Sequence, residues 1–258
     1  FKHYAKFFKK RVLRIEPAYL VSVVLIVGLN YIAAMVPGFA GDPFGISFEL
    51  ILQHIGYLVE FFNNEWLNPV YWTLAVEFHY YLLIGLLIAV WNLKYRWLTI
   101  SSIIGVLLLK YLNVEMIKLF KYTDIFVLGI ITAFYKCQNL KLHIYCIALV
   151  LMAFFLFQNH GPEITILTMI TAVLIAFFGQ YGSNKLLLFF GNISYSLYLI
   201  HVPIGGKVIN LSRRLELNEN SKFIVILVAL GTSIFMAWLF YKYIERPSHQ
   251  WAKKVKFD

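Results

Sequence analysis

Residues 223–244, FIVILVALGTSIFMAWLFYKYI, form a long apolar run near the end of this chain. It contains a single charged side chain, Lys242, and about 20 apolar residues in helical form are enough to cross the hydrocarbon core of a bilayer. The surface helix of a soluble protein would instead carry charged residues along one face. The stretch therefore predicts a membrane-spanning helix.

The composition of the whole chain agrees with this interpretation. Of its 258 residues, 60% are hydrophobic and only 14% are charged, whereas soluble domains contain about 25% charged residues. The mean hydropathy is +0.72. These values exclude a disordered chain, a small disulfide-stapled scaffold and a soluble enzyme. Cys137 and Cys146 lack the spacing of a metal site, and we predict no bound metal.

Turn-forming residues divide the chain into eight apolar stretches, so we predict an all-α, polytopic membrane helix bundle of about eight spans. The segment 48–62 is apolar but carries Glu49, His54 and Glu60. It predicts an interfacial or re-entrant helix, with a ninth span as the alternative. The eight predicted spans are 17–36, 70–92, 97–113, 120–136, 142–158, 163–180, 189–210 and 223–244.

The basic residues predict the orientation in the membrane. If both ends of the chain are cytoplasmic and the spans alternate, 16 of the 23 Lys and Arg residues fall on the inside. Cytoplasmic loops carry such an excess of positive charge. The formal net charge of +10 is thus attributed to topology and contact with membrane lipid, and not to nucleic acid.

Ionisable residues inside spans are costly and are candidates for function. Glu77 shares one helix face with Thr73 and Tyr80. It is either a functional carboxylate or a hydrogen-bonded brace between helices. Asp124, near the end of another predicted span, is interpreted as an interfacial carboxylate, with pairing to Lys121 or an arginine as the alternative.

Two further groups stand out from the apolar background. His201 shares a polar stripe with Ser194 and Tyr198, either as a bridge between helices or as a catalytic group. Arg11 and Arg14 are i, i+3 neighbours on one helix face. Paired guanidinium groups suit a phosphate or carboxylate, although a basic helix at an anionic lipid surface has the same pattern.

Four segments together resemble acyltransferase family 3, the integral-membrane O-acyltransferases of cell-surface glycans and secreted metabolites. The resemblance runs across the whole chain in the order of the family's motifs. The segments are FFKKRVLRIEPAY (7–19), WTLAVE followed by YYL (72–82), GNISYSLYLIH (191–201) and YIERP (243–247).

The resemblance implies acyl transfer from a cytoplasmic acyl-CoA, taken as acetyl-CoA, to a sugar hydroxyl of a glycan or lipid-linked sugar. This would take place at the bacterial inner membrane, without a bound cofactor. Arg11 and Arg14 would bind the donor, and Glu77 and His201 would be catalytic. Ser194 and Tyr198 would contact the acceptor. Trp72 would be a stacking wall for a sugar or a packing anchor, and both interpretations stay open.

Family members usually have about ten spans, and the first carries a histidine regarded as catalytic. We therefore expect residues 1–258 to be one transmembrane acyltransferase domain that lacks its first two spans and is inactive alone. A transporter or flippase, with polar stripes lining a permeation path, is the competing hypothesis. A non-catalytic membrane scaffold is a third.

Overall fold

A computed structural model describes residues 2–36, 45–90, 121–178, 184–212 and 218–255. All regular structure in these ranges is helical, which confirms the predicted all-α class. The helices are α1 (Lys2–Ala34), α2 (Phe48–Ile55), α3 (Tyr71–Val90), α4 (Thr123–Lys136), α5 (Leu142–Val173), α6 (Lys185–Ser212), α7 (Glu219–Phe240) and α8 (Arg246–Lys253). Single turns of other helix types are Val59–Phe62 (3₁₀) and Leu174–Phe178 and Tyr241–Glu245 (both π).

Four helical stretches are long and apolar enough to cross a membrane: Ala5–Ala34, Leu142–Phe178, Lys185–Ser212 and Ser221–Lys253. Only 17–28% of their most apolar windows is buried within the protein, so most of this apolar surface needs a lipid or protein covering. The chain is a membrane protein. The predicted count of about eight spans is not confirmed, and the predicted span 97–113 lies outside the described residues.

The chain divides into two compact units. The first combines residues 1–90 with residues 188–258, and the second comprises residues 91–187. All four motif segments belong to the first unit, so it contains the candidate site.

The core of the first unit is built around Tyr19 of α1, which is fully buried. Its ring stacks on Tyr57 at a centroid distance of 4.7 Å and meets the edge of Tyr71 at 4.9 Å. The Tyr19 hydroxyl donates a hydrogen bond to the carbonyl oxygen of His54 at 3.0 Å. The aromatic rings contribute apolar area, and the hydroxyl satisfies a backbone acceptor, so one side chain joins α1 to both α2 and α3.

The segment 48–62 does not form a ninth span. The Ser47 hydroxyl accepts a hydrogen bond from the N–H of Leu50 at 3.1 Å and caps the start of α2. Eight residues later α2 ends at Ile55, and a helix of that length rises only about 12 Å. The structure thus does not support the alternative of a ninth span, and the interfacial or re-entrant placement of the segment stays a prediction.

The second unit contains a helical hairpin. The Tyr145 hydroxyl lies 3.5 Å from the carbonyl oxygen of Ala172, although a straight helix would separate these residues by about 40 Å. The reversal takes place at Gly161, whose φ of 78° and ψ of 180° belong to a region almost restricted to glycine. It lies within the turn that the sequence predicts at 159–162.

Candidate functional site

Three of the four motif segments meet at α6. The Tyr195 hydroxyl donates to the carbonyl oxygen of Ile15 at 3.1 Å, which joins α6 to α1. The backbone N–H of Ser196 donates to Glu245 Oε2 at 3.1 Å, and the Ser196 hydroxyl donates to the same oxygen. Glu245 ends the π turn after α7, and π turns are frequent at functional sites.

The remaining motif segment, at the start of α3, also packs on α6. The Tyr198 hydroxyl donates to the carbonyl oxygen of Val70 at 3.0 Å and contacts the hydroxyl of Thr73. The buried Asn68 side chain donates from Nδ2 to the carbonyl oxygen of Leu199 at 2.9 Å. Residues more than 120 positions apart in sequence are therefore adjacent, and the motif segments form one site.

A small closed cavity of about 10 Å³ lies between α1 and α3, which is room for a single water molecule. Its polar lining residues are Arg11, Glu16, Tyr57, Glu77 and Tyr81. The Tyr81 hydroxyl donates to Glu77 Oε1. The Arg11 guanidinium carbon lies 4.9 Å from the centre of the Tyr81 ring, within the range of a cation–π contact. Glu77 is thus held by a tyrosine that itself contacts a cation.

A larger, open cleft of about 510 Å³ lies between α1 and α8. Its lining residues are Phe7, Lys10, Arg11, Arg14, His249, Ala252 and Lys253. Four of these carry a positive charge, and none of the described lining residues is acidic. Such a surface favours an anion, and guanidinium groups form short, charge-assisted hydrogen bonds with phosphate or carboxylate oxygens.

Arg11 lines both the closed cavity and the open cleft. Arg14 lines the open cleft and not the closed cavity, and it follows Arg11 by three residues on the same face of α1. The predicted common direction of the two arginines is therefore confirmed. Glu245 lies behind the cleft, where its Oε1 is 3.4 Å from Nε2 of His249.

His54, in α2, and Tyr57, which lines the closed cavity, show how burial shifts a pKa. Burial lowers the pKa of His54, which keeps its imidazole neutral near pH 7. Leu67 N–H donates to its Nε2 at 3.1 Å, so Nδ1 carries the proton and donates to the Leu50 carbonyl oxygen at 2.8 Å. Burial also raises the pKa of Tyr57 well above its usual value, with Glu16 adding to the effect. Both groups remain neutral and structural.

The structure does not bring every predicted site residue together. Within the described part of the chain, His201 lines neither the closed cavity nor the open cleft. Its side chain is exposed, and its Nδ1 bonds carbonyl oxygens of its own helix at Leu197 (2.9 Å) and Tyr198 (3.0 Å). Ser194 is exposed and donates to the Gly191 carbonyl oxygen at 2.9 Å, and Trp72 is half-buried. The predicted roles of these three residues stay predictions.

The partners of Asp124, in the second unit, are neither Lys121 nor an arginine among the contacts that the described residues show, and its predicted place at the membrane interface stays a prediction. Asp124 is buried, and its two carboxylate oxygens meet Asn159 Nδ2 and His160 Nε2, each at 2.9 Å. The Tyr122 ring stacks on His160 at 5.7 Å. These contacts join α4 to α5 immediately before the reversal at Gly161, so a structural role accounts for the buried charge.

A family model described as an acyltransferase domain matches residues 1–242. The chain belongs to acyltransferase family 3. Comparisons with curated proteins and with solved structures find no match for it. Membership of acyltransferase family 3 favours acyl transfer over the competing transporter hypothesis.

Sequence reasoning missed the contribution of α8 to this acyltransferase. His249 and Lys253 are four residues apart and face the same way on a helix, which is the signal available in the sequence. Arg14, the nearest residue in sequence among those that line the cleft from α1, is more than 230 positions away, so the partners of His249 and Lys253 are hidden until the fold is known. Both also lie beyond residue 242, where the family match ends.

Proposed function

We propose that this protein transfers an acyl group, in the first instance acetyl, from acyl-CoA to a hydroxyl of a cell-surface or secreted glycan. Acyl transfer in general follows from the family. The observation that carries the proposed donor is the open cleft, whose lining combines Arg11, Arg14 and further basic residues without an acidic one among those described. CoA is a thiol carrier with several phosphate groups, and a cleft of this charge suits it.

The proposed reaction joins the acceptor oxygen to the acyl carbon and breaks the carbon–sulfur bond of the thioester. A base takes the hydroxyl proton, and the departing CoA sulfur takes up a proton. Donors near the carbonyl oxygen stabilise the tetrahedral intermediate. We assign Glu77 and His201 to proton handling and orientation, and Trp72, Ser194 and Tyr198 to the acceptor. No bound metal or cofactor is required by this scheme.

We further propose a multi-pass protein of the bacterial inner membrane with both ends of the chain in the cytoplasm. The open cleft is lined by the beginning of α1 and by α8. This supports the proposal that the two ends of the chain lie on the same side of the membrane. A cytoplasmic opening gives the cleft direct access to acyl-CoA. It also agrees with the excess of Lys and Arg expected in cytoplasmic segments.

A transfer assay tests the proposal. Membranes containing the full-length protein are supplied with radiolabelled acetyl-CoA, and label in the glycan fraction is measured. Arg14→Ala should raise the KM for acetyl-CoA roughly tenfold, since a charge-assisted contact is lost, and should leave the KM for acceptor unchanged. Lys9→Ala is the matched control, because Lys9 is exposed and does not line the cleft. Membranes that never label a glycan would overturn the proposal.

A further inference from the structure

The C-terminal helix α8 forms one wall of the open cleft. His249, Ala252 and Lys253 line it from this side, while Lys10, Arg11 and Arg14 line it from α1. The two walls come from opposite ends of the sequence. The π turn Tyr241–Glu245 joins α7 to α8, and α8 packs along α1.

The cleft carries more positive than negative charge among its described lining residues. The described residues offer no ion pair within 4 Å to Arg14 or Lys253. Glu245, at the start of α8, is buried; its Oε2 accepts two hydrogen bonds from Ser196, and its Oε1 lies 3.4 Å from His249 Nε2. Gathering like charges on two facing helices is unfavourable unless an anion lies between them. The arrangement therefore points to an anionic ligand that contacts both walls.

We propose that α8 is the second wall of the donor site, with His249 and Lys253 contacting phosphate groups of the donor opposite Arg11 and Arg14. This inference rests on the proposed function. A cleft of about 510 Å³ is much larger than one phosphate group, so a ligand carrying several phosphates can engage both walls at once. The ammonium group of Lys253 would act as a point charge, and the guanidinium groups of α1 would make directional bonds.

A binding experiment on the purified full-length protein in phosphatidylcholine nanodiscs tests the assignment. CoA and pantetheine, which lacks phosphate, are titrated against the wild type and five variants, one of which is Arg14→Ala. Lys253→Gln should weaken CoA binding roughly tenfold, His249→Gln should weaken it by less, and pantetheine binding should not change. Lys254→Gln is the matched control, because Lys254 is exposed, directly follows α8 and does not line the cleft. Lys253→Arg, which keeps the charge, should restore CoA affinity.

The possible outcomes separate the two proposals. If the wild type fails to bind CoA, the proposed function fails. If Arg14→Ala weakens CoA binding while Lys253→Gln behaves like Lys254→Gln, only the role of α8 is overturned. A parallel series in nanodiscs containing phosphatidylglycerol tests whether the cleft binds the phosphate of a lipid headgroup instead of that of CoA. If Lys253→Gln changes only the effect of this lipid and not CoA affinity, the cleft is a lipid headgroup site and the inference is wrong.

Discussion

Ser196 and Glu245 are joined by two hydrogen bonds to a single carboxylate oxygen, although 49 residues separate them in sequence. Both side chains are buried, and each belongs to a different motif segment. A carboxylate placed in a protein interior is costly unless donors compensate for its lost hydration. This pair therefore fixes the register of α6 against the helix run α7–α8.

Ser196→Ala should destabilise the protein by about 1–3 kcal/mol, because a buried carboxylate loses one of its donors. The expected consequence is a Tm lowered by several degrees in detergent, measured by thermal unfolding. Ser212→Ala is the control, since Ser212 is only half-buried and its hydroxyl donates within its own helix, to the carbonyl oxygen of Ile209. An unchanged Tm for Ser196→Ala would show that the Glu245 carboxylate does not depend on this hydroxyl.

Glu77→Gln should lower the rate of acyl transfer by a factor of roughly 10²–10⁴, the range typical of lost acid–base catalysis. Membrane insertion and yield should not change. Tyr81→Phe should cause a smaller loss, because it removes the donor to Glu77 but keeps the ring beside Arg11. Glu163→Gln, a substitution of an exposed residue in the second unit, is the control. A fully active Glu77→Gln protein would make Glu77 a structural brace.

His54 should make the protein less stable in mild acid. Burial lowers its folded-state pKa below that of the unfolded chain, so its contribution to stability is present above the unfolded pKa and is lost as the pH falls through the folded value. Protonation of Nε2 would also break the hydrogen bond from Leu67 N–H. The Tm of the wild type should therefore fall more steeply between pH 7 and pH 5 than that of His54→Gln. Parallel slopes would contradict this linkage.

Gly161→Ala should destabilise the helical hairpin by about 1–3 kcal/mol, because its backbone conformation is strained for any residue with a Cβ atom. Space is not the reason, since no atom lies within 4 Å of an added Cβ there. Gly129→Ala is the matched control in the same unit. It also has open space, but it lies inside the regular helix α4 and should be neutral or slightly stabilising.

Much of this architecture follows from the sequence because it depends on local patterns. The apolar run 223–244 predicts a spanning helix, and the turn residues around Gly161 predict a reversal. The spacing of Arg11 and Arg14 predicts a shared face, and the structure has both arginines in one cleft. Each of these features is determined by neighbours within one or two helical turns.

The features that the sequence does not predict depend on long-range packing. Nothing near Asp124 indicates that His160, 36 residues away, will be its partner. Likewise, the spacing of His249 and Lys253 does not reveal that their wall faces α1. Glu77 and His201 each belong to one of the four motif segments, yet of these two residues only Glu77 lines the closed cavity. All three features depend on contacts between helices that are far apart in the sequence.

Among the described residues, Arg11 lines both the closed cavity and the open cleft. Its guanidinium group also lies beside the ring of Tyr81, whose hydroxyl donates to Glu77. A substitution of Arg11 therefore alters two places at once, and its effect on the cleft cannot be separated from its effect on the surroundings of Glu77. Arg14, which lines the cleft and not the closed cavity, is the more selective position at which to change the charge of the cleft.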